Sequence, residues 1–396
     1  MRGRTCGQRL AVVLAAISCL VLLLGSADIT AKASKPPTGA PYKIGAIFSV
    51  TGDNSPLGQP EKETAMLLEA RINKTGGING HPVQIIIEDD AGQETNALLA
   101  AKKLVERDGV IAVVGPSLSG TSLAIVGYME QRQVPLISCA ASVKITAPTN
   151  LRQWIFRTPQ GDRHAIERIA AFLKHRHVSR AAFINVSNAY GMSGFDQAKA
   201  VLPPMGIEIV AAETFGPDDT DMTPQLTRIK ASNAQALICW GTNPGPARVM
   251  INARQLKLRG LMLQSHGIAN RKFIELGGDA VNGVIFPAGR LIVLDQISKK
   301  DRQYGVLSEY TRLYEATYHK PPNTFGGHAW DAITLLCDAL KKVGPDRAKI
   351  RAHIENRKSF VGTGGVFNFS PGDHNGLARD AFAMVKIERG KWMRLE

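Results

Sequence analysis

Residues 115–122 read G-P-S-L-S-G-T-S, a run of small and hydroxyl-bearing residues between two apolar stretches. Those stretches, 110–114 and 135–137, are too short for helices and suit buried strands. Between them Leu123, Val126 and Met129, with the small Ala124 and Gly127, recur at helical spacing. The unit is therefore strand, loop, helix, strand, with the hydroxyl-rich loop at the helix start. A helix start leaves backbone N–H groups without partners and carries the positive end of the helix dipole. Such a corner can hold an anion with no Lys or Arg nearby. An ordinary N-cap by Ser119 or Thr121 is the alternative use of the same residues. A second small polar loop, 138–142, ends the next strand at the same carboxyl edge, where open α/β sheets bind ligands.

Other motifs offer less. There is no G-x-x-x-x-G-K-[ST] and no G-x-G-x-x-G, so nucleotide chemistry lacks its cradle. His175 and His177 stand beside Lys174 and Arg176 near a helix end, where they complement the dipole rather than bind metal. Asp89-Asp90 ends a strand with no zinc-type partner and reads as a solvated loop. No metal site and no cofactor are expected.

The elements that position the loop follow in alternation. Strand 42–50 leads into the polar loop T-G-D-N-S-P-L-G, and helical periodicity spans 61–73. Strand 83–87 and helix 94–107 precede the opening unit. The rhythm then restarts: strand 154–157, helix 165–173, strand 181–185, loop 186–191, helix 194–202, strand 207–212, helix 224–229, strand 236–240, helix 247–255 and strand 261–263. Loops of a few residues between alternating strands and helices imply parallel doubly wound sheets. Two similar α/β lobes imply a cleft between them, where small-molecule sites lie. After residue 289 come long helical segments at 303–318, 330–343 and 348–356, then strands at 366–370 and 381–387.

The first forty residues differ in kind. Arg2, Arg4 and Arg9 precede an apolar run over 10–24, and small-residue cleavage candidates follow. Residues 1–33 read as a secretory signal peptide, with the run shorter than the ~20 residues of a membrane span. A cut after Ala33 removes four positive charges (Arg2, Arg4, Arg9, Lys32) and one negative (Asp28), so +14 becomes +11. Lys and Arg are spread along the chain with no basic–aromatic interleaving, which argues against nucleic acid. Beyond residue 33 only Cys139, Cys239 and Cys337 remain, all in apolar surroundings, so no disulfide framework is expected.

The ordered set G-G-I-N-G-H-P-V-Q-I-I-I-E-D-D, V-G-P-S-L-S-G-T-S, P-L-I-S-C-A-A-S, S-N-A-Y-G and G-T-G-G-V-F-N-F resembles the branched-chain amino-acid-binding proteins. These are type I periplasmic solute-binding proteins of ABC importers. The resemblance implies two α/β lobes joined by three crossovers, residues 41–161 with 290–377 and residues 162–289 with 378–396. It implies a monomer in the periplasm whose partners are an ABC permease and its ATPase. It also places the ligand carboxylate at Ser119, Ala140 and Ser142, with Tyr190 covering the ligand from lobe two. Leu57 and Phe325 correspond to further walls, and Asp162 to an acidic residue that assists an ammonium. His266 stands where the family holds the ammonium with a carboxylate, and Asn243 where a second aromatic or polar group is frequent. Gly92 and Leu118 occupy the positions of the family disulfide.

The resemblance thus implies a branched-chain or related amino acid as ligand. A neutral His is a poor partner for an ammonium, so an aromatic or aliphatic carboxylate without an amino group is the alternative. Two other classes stand beside it. A ligand-sensing regulator would share the fold without transport. A hydrolase would need Ser119, His266 and Asp162 to meet, but no spacing demands that, and Gly115-Pro116-Ser117 lacks the closing Gly of a nucleophile elbow. His328, near a helix start, reads as structural or as lining the hinge or pocket. No catalytic residue is expected.

Overall fold

The computed structural model describes residues 36–395; the expected signal peptide lies outside them. Chain order runs β1 (Tyr42–Phe48), α1 (Ser55–Lys74), β2 (Val83–Asp89), α2 (Glu94–Lys102), β3 (Ala112–Val114), α3 (Ser119–Arg132), β4 (Leu136–Ser138) and β5 (Ile155–Arg157). It continues α4 (Asp162–His175), β6 (Arg180–Val186), α5 (Ala189–Val201), β7 (Glu208–Phe215), α6 (Thr223–Ala231), β8 (Ala236–Trp240), α7 (Gly245–Gln255), β9 (Leu261–Gln264), α8 (Arg271–Gly277) and β10 (Ile285–Ala288). The last stretch holds α9 (Tyr304–Tyr318), α10 (Thr324–Val343), α11 (Arg347–Glu355), β11 (Phe360–Val361), β12 (Val366–Phe367), β13 (Ala383–Glu388) and β14 (Lys391–Arg394).

Two sheets result. The first is five-stranded and wholly parallel, in the order β2-β1-β3-β4-β5. β1 lies inside it, and Ile44, Ala46, Ile47 and Phe48 have no exposed surface. A strand covered on both faces carries such a continuous apolar run. The second sheet has seven strands, β14-β13-β10-β9-β8-β6-β7, parallel from β10 to β7, with β13 and β14 antiparallel. The chain passes from the first lobe to the second after β5 and builds β6 to β10 there. It then returns with α9, whose Tyr310 hydroxyl meets Thr64 of α1 at 2.7 Å, and crosses once more to add β13 and β14.

Three helices begin five or more residues earlier than their periodicity implies. α1 starts at Ser55, six residues ahead of the expected 61, because Pro56 stands in its first turn. Proline there has φ already set and no N–H to lose. α5 starts at Ala189, inside the expected loop 186–191. Asn188 caps it, its Oδ1 accepting from the N–H of Tyr190 (3.1 Å) and Gly191 (3.0 Å). α10 starts at Thr324 and runs through Gly326-Gly327, with Asn323 as cap. A β-carbon on Gly326 would stand 2.3 Å from Tyr310 Oη, so glycine here permits close helix packing. Periodicity also missed β10, β11 and β14. All are short, and β10 contains Pro287.

Among the described residues the three cysteines are free. None of the helices described is long and apolar enough to cross a membrane.

Candidate functional site

The carboxyl ends of the two sheets face a cavity of about 730 Å³. From the first lobe it is lined by Leu57, Ser117, Ser119, Ala140, Phe325 and His328, and from the second by Tyr190, Asn243 and His266. The lobes touch at its edge, where Lys144 Nζ bonds Asp196 Oδ2 at 2.9 Å and Thr324 Oγ1 bonds Ala269 O at 3.2 Å.

One end of the cavity is the start of α3. Leu118 is the cap residue, in extended conformation, and no side chain caps the turn. Neither Ser119 nor Thr121 therefore serves as the N-cap. The first N–H to find a carbonyl within the turn is that of Ser122, on Leu118 O at 2.9 Å. The N–H groups of Ser119, Gly120 and Thr121 precede it and lie beyond the reach of the helix ladder. Ser119 Oγ accepts the Ser142 N–H at 3.3 Å, which leaves its hydroxyl proton free to donate. Beside Gly120 of this turn stands Glu94, an exposed carboxylate that also lines the cavity.

The loop after β4 is arranged differently from expectation. Ala140 lines the cavity, but its N–H is engaged by Ser138 Oγ at 3.1 Å. Ser142 has no exposed surface and does not line the cavity. Its N–H serves Ser119, and its Oγ accepts from Lys144 N at 3.3 Å. Its part is to orient Ser119. Beneath the loop Arg157 is buried, its Nη1 donating to Ala141 O (3.0 Å) and Pro159 O (3.1 Å).

Asp162 also lies outside the lining. It opens α4 with no exposed surface, and its Oδ2 accepts the Ser193 hydroxyl at 2.6 Å. Burial pushes its pKa up to about 7, against the pull of Ser193 and of the Arg157 guanidinium. The structure thus brings Ser119 and His266 to one cavity and leaves Asp162 behind the wall.

The second lobe supplies the opposite side. Tyr190 sits in the first turn of α5, where the Asn188 cap places it. His266 opens a short 3₁₀ turn after β9 that is held by Ser265, whose Oγ accepts from Gly267 N at 3.2 Å. Its ring meets Tyr190 edge-on, with centroids 5.7 Å apart, and its Nδ1 is 3.5 Å from Tyr190 Oη. Burial pushes the His266 pKa down to about 3, with His328 and Arg157 adding to the effect. Asn243 donates from Nδ2 to Asn270 Oδ1 at 3.2 Å.

Sequence reasoning undervalued His328, on the second turn of α10. It is buried, lines the cavity, and burial holds its pKa down at about 3. Its spacing of three from Phe325 puts both on one helix face, a signal present in the sequence. Ser117 was also passed over. It accepts from Ser49 N at 3.0 Å and donates to the buried Glu61, whose pKa burial raises well above the usual range. Asp89 accepts from the loop after β1, at Val50 N (2.9 Å) and Thr51 Oγ1 (2.7 Å), and from Ala91 N (2.8 Å) in its own turn. Among the described residues no cluster of three metal-ligating side chains occurs.

Two lobes with parallel sheets, closed around one polar-ended cavity, define a bilobal solute-binding protein. The sequence matches the periplasmic binding protein family over residues 41–391, and the chain belongs to it. It is 26% identical over 370 residues to the Leu/Ile/Val-binding protein BraC3 of Rhizobium johnstonii, covering 93% of this chain and 97% of that one. The Leu/Ile/Val-binding protein of Escherichia coli is 24% identical over 74% of this chain and 77% of its own. A crystal structure of an extracellular ligand-binding receptor from Rhodopseudomonas palustris superposes with a TM-score of 0.84 at 26% identity, covering 89% of this chain and 99% of that one. The family consists of binding proteins, not enzymes.

Proposed function

We propose that this protein is the periplasmic receptor of an ABC importer and carries a small carboxylate between its lobes, as its relatives named for leucine, isoleucine and valine carry theirs. The ligand carboxylate rests on the first turn of α3, with the Ser119 hydroxyl and the free N–H groups as donors. The observation that carries this reading is the uncapped α3 start opening into a cavity of about 730 Å³. Leu57 and Phe325 form apolar walls and Tyr190 covers the ligand from the second lobe. Residues 41–161 with 290–377, and 162–289 with 378–396, act as two bodies that close on it. A permease with its ATPase receives the loaded form, and an N-terminal signal peptide directs export.

Calorimetric titration of purified protein with small amino, oxo and aromatic acids tests the site. Ser119→Ala should weaken the best ligand by about 1.5–3 kcal/mol, the loss of a hydrogen bond to a charged group. Unchanged affinity in that variant would remove the carboxylate from α3.

A further inference from the structure

His266 and His328 reach the same cavity from opposite lobes, and neither belongs to the α3 corner. They are 8% and 5% exposed. Among the described residues His328 Nδ1, His266 Nε2 and Asn243 Oδ1 are buried and without a partner. Buried polar atoms without partners are costly, and several on residues lining one cavity point to a ligand group that completes them.

The chemistry of that group follows from the donors. His266 Nδ1 stands 3.5 Å from Tyr190 Oη, and its Nε2 has no partner among the described residues. With the Tyr190 hydroxyl donating to Nδ1, Nε2 carries the ring hydrogen and donates to the ligand. Arg157, buried behind the β4 loop, adds a positive field that also reaches His266. The carboxylates lining the cavity, Asp53, Glu94 and Asp218, are all exposed residues. Asp162, behind the wall, spends one oxygen on Ser193. Imidazole N–H and a guanidinium field suit an oxygen acceptor, whereas an ammonium wants a fixed anion.

Resting on the reading that a carboxylate occupies α3, we propose that His266 and His328 hold the ligand's second polar group. That group is an oxygen, as in an oxo or hydroxy acid, in place of an ammonium.

Matched pairs that differ only at this group test the proposal by calorimetry and thermal shift: leucine against 4-methyl-2-oxopentanoate, phenylalanine against phenylpyruvate, and alanine against lactate. The oxygen member of the best-fitting pair should bind about 10-fold tighter, the upper end for one neutral hydrogen bond. His328→Phe should erase most of that preference, and His266→Glu should shift it toward the amino acid, with each variant's folding checked by its unliganded melt. Equal or tighter binding of the amino acid by the native protein overturns the proposal while leaving the carboxylate at α3. Failure of every acid in the set to bind overturns the α3 reading, and this proposal with it.

Discussion

Ser119 is an effective donor because its oxygen is already held by an amide. Its proton is left to the cavity, and Ser142, which looked like a contact, makes that orientation. The residue types were legible in the sequence, but their division of labour was not. Spacing shows which hydroxyls share a loop, not which N–H groups the loop itself consumes. Asp162 lies outside the lining, and His328 takes the second of its two expected places, for the same reason: burial and access are set by packing between segments far apart in sequence. Four buried groups around the interlobe region also shape the pH response. His266 and His328 have pKa values depressed from 6.5 to about 3, so their contribution to stability is present above 6.5 and lost as pH falls through that range. Asp162 and Asp331 are raised from 3.8 to about 7, so theirs is present below 3.8 and lost as pH rises toward 7. Between these limits the two pairs oppose each other, each group by up to about 1.4 kcal/mol per pH unit. The double variant His266→Gln, His328→Gln should therefore gain stability at pH 4.5 relative to pH 7, on the order of 2–5 kcal/mol more than the native chain does. Urea unfolding at the two pH values measures this, and parallel curves would contradict it.

At the scale of elements, buried strands were the most legible. β8 spans residues 236–240, the five the apolar run implied, and the βα alternation led to parallel sheets. Helix starts were less legible. In α1, α5 and α10 the first turns are written in Pro, Gly and Asn, residues that equally signal loops. What turns them into helix is tertiary: the Asn188 cap, and a contact at Gly326 too close for any β-carbon. These starts matter because Tyr190, Phe325 and His328 all lie in them. Asn188→Ala removes the acceptor for two N–H groups and should cost about 1 kcal/mol of stability. It should also weaken ligand binding, because Tyr190 is the second residue of that turn. A variant with native affinity would show that Tyr190 is placed by packing alone.

For the whole molecule, function depends on how firmly the lobes meet. Lys144 and Asp196 join them at the rim, with side chains about half and one-third exposed, so the pair is worth at most about 1 kcal/mol. Asp196→Asn should raise the ligand dissociation rate by up to about 5-fold while leaving the association rate nearly unchanged, and high salt should mimic it. Stopped-flow measurements separate the two rates; an altered association rate alone would place the pair outside the closing step. The triple crossing of the chain has a further consequence, during biosynthesis. The first lobe lacks its α9–α11 cover until residue 355 has emerged, and the second sheet lacks β13 and β14 until residue 394 has. Neither half can reach its final packing while most of the polypeptide is being made. On the proposed export route, a chain threaded outward from its N-terminus would stay without completed lobes until nearly all of it was across, which is compatible with passage through a narrow translocation channel.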